Sequence, residues 1–355
     1  MRSRFRLVWL LPFAPPVIFA SLILFLVWDQ YRPRPLTPDS QPREILLTTL
    51  ELTLLNSFDK CIAGAVNQNV LLAIDHHVAY VHSDGTPNGP YIRSQDVFQT
   101  EASWQSAGTP YPYSMVAFGD RLFLSSSLEV RALSLASGEL VWRSEVLPGH
   151  AGNVISADPR GALTIYYTQD ALPEMAAVIL HLDPQTGSLI EKQAYRISDF
   201  ALMAPFTRQG VLWISGDDIW FSPTPTDPAI WRVETGGRIA QWPPQYHNLL
   251  LVSSGFFPEI LAIDSDTGEI AWEDQREFAS LPVIFRGLVY AITKDAKLIA
   301  LQPETGQERG SIQFSPQTTQ DSSRSHLYAV ASSSEILAVY FGDSCQLFVF
   351  EPPAA

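Results

Sequence analysis

The chain is poor in cysteine and in basic residues. Its 355 residues include only two Cys, and neither has a neighbouring Cys or His that would complete a zinc site. Lys and Arg number 23 against 37 Asp and Glu, for a formal net charge of −14. Six of the 23 basic and two of the 37 acidic residues precede residue 44, so the remaining chain carries −18. Such an acidic body repels phosphate backbones, and we expect no nucleic-acid partner.

Motifs of common catalytic sites are also missing. The sequence has no Gly-x-Ser-x-Gly elbow, no phosphate-binding glycine loop and no His-Glu-x-x-His pair. The densest polar cluster is His76, His77 and His82, of which His76 and His82 could face one side of a strand and bind a metal. Turn and surface roles are commoner for such histidines. We therefore predict no metal site and no catalytic residue.

One long apolar run lies near the N-terminus. Leu7–Trp28 is a run of 22 residues without a charged side chain, which as a helix would span roughly 33 Å. No small-x-small cleavage site follows it, which favours a retained anchor over the alternative, a cleaved signal peptide. Arg residues before the run indicate a cytoplasmic N-terminus. No Cys stands near the N-terminus, which excludes a lipoprotein anchor.

These features divide the chain into three parts. Residues 1–28 are predicted to be a cytoplasmic stub and a single-pass transmembrane signal anchor in the cell membrane. Residues 29–44 contain four Pro and no apolar periodicity, which is typical of an extended linker. Residues 45–355 are predicted to form one extracytoplasmic domain, in the periplasm or outside the cell.

The domain reads as a succession of short strands. Runs rich in Val, Ile, Leu, Tyr and Phe are separated by Gly, Pro, Asp and Ser, and no long stretch keeps a helical period. The clearest unit is residues 281–312, which parses as four strands joined by turns. The same unit recurs at residues 133–142, 182–192, 262–272 and 300–310.

Glycines mark the turns of the repeat. Gly138, Gly187, Gly268 and Gly306 are 49, 81 and 38 residues apart, and 81 is about two units of the ~40 to 45 residues of a four-stranded blade. A left-handed residue is needed there to reverse the chain between third and fourth strands. Trp142 and Trp272 follow on the fourth strand, and we expect them to pack between neighbouring blades.

These copies resemble the pyrroloquinoline-quinone-like propeller repeat, in which an apolar strand, Ala-Leu-Asp, x-x-Thr-Gly, a short apolar pair and Trp follow one another. The segment AIDSDTGEIAW at residues 262–272 matches this pattern closely, and the resemblance covers roughly residues 60–350. It implies an all-β propeller similar to the lipoprotein of the outer-membrane β-barrel assembly machinery. The same repeat occurs in the catalytic quinoprotein alcohol dehydrogenases.

Candidate blades begin near residues 67, 113, 153, 203, 245, 281 and 326. This predicts seven four-stranded blades, or eight if residues 88–112 form a degenerate blade. The last unit supplies only three strands, so we expect residues 44–56 to donate the fourth and close the ring. A short amphipathic helix is the alternative for that segment.

The two cysteines fall at this predicted joint. Cys61 follows the donated strand, and Cys345 lies in the turn between the second and third strands of the last unit, so both connections lie on the same face. A disulfide between them would fasten the ring in an oxidising compartment. Two buried, unpaired thiols are the alternative.

The resemblance leaves two functions to weigh. Catalytic quinoproteins hold their quinone with a vicinal Cys pair and bind calcium through carboxylates, but this chain has no adjacent cysteines. Asp183, Asp264 and Asp266 fall in repeat turns, where Asp caps backbone amides. We therefore expect no cofactor and a non-catalytic scaffold that binds an exported or membrane protein. A quinone- or small-molecule-dependent enzyme using the central funnel is the alternative.

Aromatic residues in two loops are the candidate contact patch for that partner. They share proximity to proline and a position outside the predicted strands: Tyr111, Tyr113, Phe256 and Phe257. Covering the edges of blades is an equally ordinary role for them.

Overall fold

The computed structural model contains only β-strands and turns in the part of the chain that it describes. The described residues are 43–59, 71–82, 90–98, 102–108, 112, 114–126, 129–144, 154–157, 162–171, 174–197, 202–206, 210–236, 239, 243–253, 259–315 and 328–352. Within these ranges no helix is long and apolar enough to cross a membrane. The predicted anchor, residues 1–28, lies outside the described residues.

Strands in chain order form seven antiparallel sheets. Blade 1 contains β3 (Leu71–Ile74), β4 (His77–His82), β5 (Tyr91–Asp96) and β6 (Ala102–Gln105). Blade 2 contains β7 (Ser114–Phe118), β8 (Arg121–Ser125), β9 (Val130–Ser134) and β10 (Leu140–Ser144). Blade 3 contains β11 (Val154–Ala157), β12 (Leu163–Ala171), β13 (Glu174–Leu182) and β14 (Leu189–Ile197).

The remaining blades follow the same order. Blade 4 contains β15 (Leu202–Phe206), β16 (Gly210–Ser215), β17 (Asp218–Ser222) and β18 (Trp231–Glu234). Blade 5 contains β19 (Gln245–Tyr246), β20 (Leu249–Ser253), β21 (Ile260–Asp264) and β22 (Ile270–Asp274). Blade 6 contains β23 (Val283–Phe285), β24 (Leu288–Ile292), β25 (Lys297–Leu301) and β26 (Glu308–Phe314). Blade 7 takes β27 (Tyr328–Ser332), β28 (Leu337–Phe341) and β29 (Gln346–Glu351) from the C-terminal end of the chain.

The sheets are arranged as a ring with the first strand of each blade innermost. First strands of neighbouring blades contact one another, as β3 contacts both β7 and β27. The predicted seven-bladed propeller is therefore confirmed, and its blades begin close to the predicted positions. Residues 91–96 and 102–105 are the third and fourth strands of blade 1, so they do not form an eighth blade.

The hydrophobic core consists of layers between blades. Strands such as β25 are buried on both faces because a neighbouring blade covers each face, which explains continuous apolar runs such as Leu298–Leu301. One buried cluster joins blades 2 and 3, another joins blades 4 and 5, and a third joins blades 5 and 6. A blade therefore cannot bury its apolar surface alone, and the closed ring is the unit of stability.

The N-terminal segment closes the ring, but it forms two strands instead of one. The predicted donor, residues 44–56, is divided in two: β1 (Ile45–Thr48) and β2 (Thr53–Asp59). β2 pairs with β29 and completes blade 7, while β1 pairs with β26 and gives blade 6 a fifth strand. The division corrects the single-strand prediction. Its physical reason is that one apolar segment covers two neighbouring sheet edges, which leaves fewer backbone groups unpaired.

Because successive strands run in opposite directions, each connection lies at a defined end of the propeller. We call the end with the first-to-second and third-to-fourth turns the upper end. The lower end carries the second-to-third turns and the connections from one blade to the next. The turn between β28 and β29, which contains Asp343 and Cys345, therefore lies at the lower end.

Candidate functional site: blade docking and the ring seam

The four predicted turn glycines all adopt the left-handed conformation. Their φ angles are +71° at Gly138 and Gly187, +77° at Gly268 and +68° at Gly306. In each turn the glycine amide donates a hydrogen bond to the carbonyl four residues earlier, as Gly187 N does to Asp183 O at 2.8 Å. A residue with a Cβ would be strained in this conformation, which gives glycine a local reason to be there.

A tryptophan from the preceding blade lies against each of these glycines. An added Cβ at Gly187 would come within 2.5 Å of the Trp142 ring, closer than any real side-chain contact. The other three pairs share this geometry: Gly138 with Trp104, Gly268 with Trp231, and Gly306 with Trp272. The glycine therefore leaves room for an indole ring to dock flat on the turn of the next blade.

Each docked indole also makes one hydrogen bond to its neighbour's turn. The indole Nε1 donates to the carbonyl of the residue three positions before the turn glycine. Trp142 Nε1, for example, donates to Pro184 O at 2.9 Å. Equivalent bonds run from Trp104 to Leu135 O at 2.6 Å, from Trp231 to Ser265 O at 2.9 Å and from Trp272 to Pro303 O at 2.6 Å. Each tryptophan–glycine contact therefore combines apolar packing of the ring with a directional hydrogen bond from the indole nitrogen.

Trp142 and Trp272 thus lie between blades, as predicted, and Trp104 and Trp231 are two further docking residues that the sequence pattern did not identify. Trp104 is the third residue of its strand, β6, just as Trp142 and Trp272 are in β10 and β22. That common position was the signal that could have identified Trp104. Trp231 begins β18 after the proline-rich segment 223–230, which hid its equivalence.

Two of the other three blade junctions replace the indole. Between blades 7 and 1, Asn56 occupies the equivalent place on β2, and its Nδ2 donates to Val97 O at 3.0 Å. Between blades 6 and 7, Gly310 stands where the indole would be, and a Cβ there would meet Thr49 O at 2.9 Å. The N-terminal segment therefore fills the space of the missing indole.

The junction of blades 3 and 4 is held by a different aromatic cluster. Tyr166 and Trp213 are buried there, with Tyr195 and Trp220 packed against them. The two tryptophans stack with ring centroids 6.0 Å apart. Trp213 also donates from Nε1 to Ser222 Oγ at 2.8 Å, so its bond stays inside blade 4.

Arg43 is the central residue of the seam, which we define as the contacts of residues 43–59 with blades 6 and 7. Its side chain is 1% exposed and forms an ion pair with Asp343, whose side chain is also 1% exposed. Arg43 donates to Ser315 O at 2.7 Å and to the Tyr328 hydroxyl at 2.7 Å. Its guanidinium carbon lies 4.6 Å from the centroid of the Phe341 ring.

Asp343 is satisfied on the other side of the pair. It accepts hydrogen bonds from the Tyr328 hydroxyl at 2.9 Å and from the amide of Ser344 at 2.7 Å. The Arg43 amide also donates to Gln346 Oε1. Two buried charges are tolerable because so many partners surround them. The sequence reading assigned Arg43 to the linker, whereas its side chain belongs to the ring.

Cys345 lies in the same turn as Asp343. It is 4% exposed, has φ +54° and precedes Gln346, which pairs with Asp59 at the end of β2. Among the described residues there is no free cysteine. Cys61 lies outside the described residues, so its pairing with Cys345 stays a prediction. The register supports it, because only Lys60 separates Cys61 from the last paired residue of β2.

The predicted contact patch lies wholly outside the described residues. Tyr111 and Tyr113 fall between β6 and β7, and Phe256 and Phe257 fall between β20 and β21. Nothing in the described geometry brings these residues together or separates them, so the patch also stays a prediction.

The histidine cluster is spread along a strand. His76 precedes β4 and His82 ends it, and six residues at about 3.3 Å each separate them by roughly 20 Å. His77 lies 3.4 Å from Ser94 Oγ through its Nδ1. The described residues contain no group of three His, Cys, Asp or Glu side chains that could hold a metal ion.

Aspartates of the repeat turns bind their own backbone. Asp183 Oδ1 accepts from the amides of Gln185 at 2.6 Å and Thr186 at 3.1 Å, and Asp264 Oδ1 accepts from those of Asp266 and Thr267. Burial raises the pKa of Asp264, but these amide bonds outweigh it, with help from the side chains of Thr267 and Asn248, and lower the pKa. These carboxylates hold turns in shape.

A family model described as outer membrane protein assembly factor BamB matches residues 126–341. The chain belongs to this family. The matched range begins in blade 2 and ends in blade 7, so it contains all of blades 3 to 6. No curated protein matches the chain significantly.

Solved structures share the fold at low sequence identity. BamB from Moraxella catarrhalis is 15% identical, covers 89% of this chain and 100% of its own, and has a TM-score of 0.48. A crystal structure of the computationally designed Ika8 protein is 11% identical with a TM-score of 0.51, covering 83% and 100%. BBS1N in complex with ARL6DN is 8% identical with a TM-score of 0.58, covering 86% and 98%.

Proposed function

We propose that this chain is a membrane-tethered, extracytoplasmic propeller that binds a protein partner and catalyses no reaction. Membership of the BamB family, described as an outer membrane protein assembly factor, is the observation that carries the proposal. Assembly implies contact with other proteins, and a closed ring presents two broad faces for such contacts. The proposed partner is an exported or membrane protein and not a nucleic acid, in keeping with the net charge of −14.

The hydrogen bonds of the repeated Trp and Asp residues support a structural role for these residue types. The docked indoles donate to turn carbonyls, and the turn carboxylate of Asp183 accepts from amides of its own turn. The same residue types could otherwise suggest a quinone floor or a calcium site. In this chain they connect blades and shape turns.

The position of the N-terminal segment suits a tether. Arg43 contacts Ser315 at the end of β26 and Asp343 in the β28–β29 turn, both at the lower end of the propeller. The preceding residues, which contain the proposed linker and anchor, therefore join the domain at its lower end. In this proposal the upper end faces away from the membrane.

Cross-linking and affinity capture of the full chain from solubilised membranes test this function. We expect one protein to be recovered in a fixed ratio under several growth conditions, and to be lost when the ring is opened by Asp343→Ala. Recovery of no stoichiometric partner would contradict a scaffold role. A quinone absorbance, or calcium-dependent dye reduction by the purified chain, would support the enzymatic alternative instead.

Protease accessibility tests the orientation. Intact cells or spheroplasts are treated with protease, with a cytoplasmic protein as the control for leakage. We expect the propeller domain to be reached from outside the cytoplasmic membrane. A domain degraded only after the membrane is lysed would contradict the proposed topology.

A further inference from the structure

Among the residues that the structure describes, large exposed apolar side chains lie mostly at one end of the propeller. Eleven such side chains stand out among the described residues. Nine lie at the upper end: Leu54, Phe98, Phe118, Leu140, Val141, Leu189, Ile190, Ile230 and Ile270. The other two lie on β1 near the lower end: Leu47 pairs with Gln313, and Leu46 is the bulge residue before it. Single exposures are normal on a protein surface, whereas Leu140–Val141 and Leu189–Ile190 each place two large exposed apolar side chains next to one another.

A repeated β-bulge produces the apolar pairs. In blade 2 the pairing passes from Leu140 to Trp142, so Val141 is an extra residue in the fourth strand. The same irregularity makes Ile190 the extra residue in blade 3. Because the bulge breaks the alternation of the strand, two consecutive side chains can face solvent. Leu140 and Val141 are 52% and 45% exposed, and Leu189 and Ile190 are 47% and 62% exposed.

The bulge turns the docking tryptophan toward the neighbouring blade. The same bulge leaves the two preceding side chains facing solvent. Trp142 points into the junction with blade 3, and Leu140 and Val141 are left outside it. Docking alone does not require large apolar residues there. In blade 6 the equivalent positions are Glu308 and Arg309, and the neighbouring strands still pair normally.

Acidic residues lie among these apolar pairs. The third-to-fourth turns of blades 2 to 6 are residues 135–139, 183–188, 223–230, 265–269 and 302–307. Together they contain six acidic residues and no Lys or Arg: Glu139, Asp183, Asp227, Asp266, Glu269 and Glu304. Two arginines lie beside these turns, since Arg121 donates to Pro184 O and Arg309 to Gln302 Oε1. The outer rim of the upper end is therefore apolar and predominantly acidic.

We propose that this upper rim is the partner-binding surface and that it takes a protein surface combining apolar side chains with Lys or Arg. The proposal rests on the scaffold function proposed above and specifies its site. Burial of the apolar pairs would supply binding energy, while the acidic turns would select a basic partner and speed its association. The upper rim of a second copy does not fit, because it would bring acidic turn against acidic turn.

Rim variants must leave the fold intact. Leu140→Thr, Ile190→Thr and Ile270→Thr keep a strand-forming residue at exposed positions, so we expect stability close to that of the unchanged chain. Glu139→Gln and Glu304→Gln remove charge but keep a side-chain oxygen that can accept the hydrogen bonds from Ser137 Oγ and Gln302 Nε2. Asp183 is left unchanged, because its carboxylate holds its own turn.

Model peptides measure the chemistry that the rim selects. The full chain in nanodiscs is titrated with an alternating Leu/Lys peptide, a Ser/Lys peptide and a Leu/Glu peptide, with fluorescence anisotropy as the readout. We expect the Leu/Lys peptide to bind best, and the triple Thr variant to raise its Kd about tenfold. The Gln variants should weaken binding at low salt and have less effect at high salt. Equal binding by the triple Thr variant and the unchanged chain would overturn the proposal.

Site-specific photo-cross-linking in intact membranes compares the two ends. Cross-linkers replace Leu140, Ile190 or Ile270 at the upper rim, and Asp217 or Lys294 in second-to-third turns at the lower end as controls. We expect rim positions to give an adduct whose cross-linked peptide, identified by mass spectrometry, carries Lys or Arg beside apolar residues. Adducts only from the lower end would overturn the rim proposal and leave the scaffold function standing. No protein adduct from either end would overturn both.

Discussion

The ring is held together in two ways, and the contrast separates what a repeat can do from what a chain end must do. Four blade junctions use a tryptophan that docks on a glycine turn, as Trp142 does on Gly187. The seam uses residues that occur once: a buried ion pair between Arg43 and Asp343, and a strand from the N-terminal side. Repeated junctions reuse one apolar contact, whereas the seam depends on contacts between the two ends of the sequence.

This difference predicts unequal responses to mutation. Each docked junction lies inside continuous chain, so a weakened dock leaves the neighbouring blades connected. The seam joins residues about three hundred positions apart, such as Arg43 and Gln346. Opening it exposes the apolar face of two blades and frees sheet edges. The seam should therefore be the most sensitive region of the fold.

The largest effect is expected at the buried ion pair. Asp343→Ala leaves the Arg43 guanidinium buried without its carboxylate, and we expect a loss of about 3–5 kcal/mol in the free energy of unfolding. Urea denaturation of the purified domain measures it. The double variant Arg43→Met/Asp343→Leu should be closer to the unchanged chain, because apolar side chains can pack against Phe341.

An exposed ion pair is the matched control. Arg232 and Asp218 pair on blade 4 with side chains 62% and 23% exposed. Asp218→Ala should cost less than about 1 kcal/mol, since solvent already screens this pair. If Asp343→Ala cost no more than Asp218→Ala, the seam would not be the sensitive region.

The second prediction concerns the disulfide between Cys61 and Cys345. If the pair is oxidised, reduction should cost about 2–4 kcal/mol and lower Tm, because the bond closes a loop of nearly the whole domain. Thermal unfolding with and without a thiol reductant measures the change. The double variant Cys61→Ser/Cys345→Ser should be insensitive to the reductant. Free thiols found by non-reducing mass spectrometry in freshly exported protein would rule out the bond.

A third prediction isolates the tryptophan dock. Gly187→Ala places a methyl group against the Trp142 ring and forces alanine into φ +71°, and we expect it to cost about 2–3 kcal/mol. Gly216→Ala is the control, since Gly216 has φ +61° with no atom within 4 Å of an added Cβ. It should cost only the backbone strain, about 1 kcal/mol. Equal losses in chemical denaturation would show that the dock adds nothing to the turn.

The sequence predicted the parts of this ring that depend on local repetition. Turn glycines such as Gly187 and blade starts near residues 113, 203 and 245 were readable because each blade needs the same turn and the same strand rhythm. The dock between Trp231 and Gly268 was hidden, since the proline-rich turn of blade 4 breaks the spacing that reveals the others. Periodicity identifies a repeated contact only where its spacing is kept.

The parts of the ring that depend on contacts between distant residues were harder to predict from the sequence. A donated strand was expected, but its division into β1 and β2 depends on which two sheet edges lie side by side. Nothing local to Arg43 shows that its partner is Asp343, because the preceding prolines resemble a linker. The upper rim was missed for a similar reason: apolar pairs such as Leu140 and Val141 look like core residues until the bulge shows that both are exposed.

The smallest expected effect is a pH dependence at a single repeat turn. Asp264 accepts hydrogen bonds that lower its pKa below the ordinary value of 3.8, so the folded chain keeps this carboxylate ionised more readily than the unfolded chain does. Its contribution to stability should be complete above about pH 4 and disappear as pH falls through the lower folded value. Asp264→Asn should therefore flatten the acid limb of the unfolding free energy slightly. Because Asp264 is partly exposed, solvent screening keeps this difference well below that of the buried Arg43–Asp343 pair. An acid limb unchanged by Asp264→Asn would show that these turn hydrogen bonds shape the chain without coupling its folding to protonation.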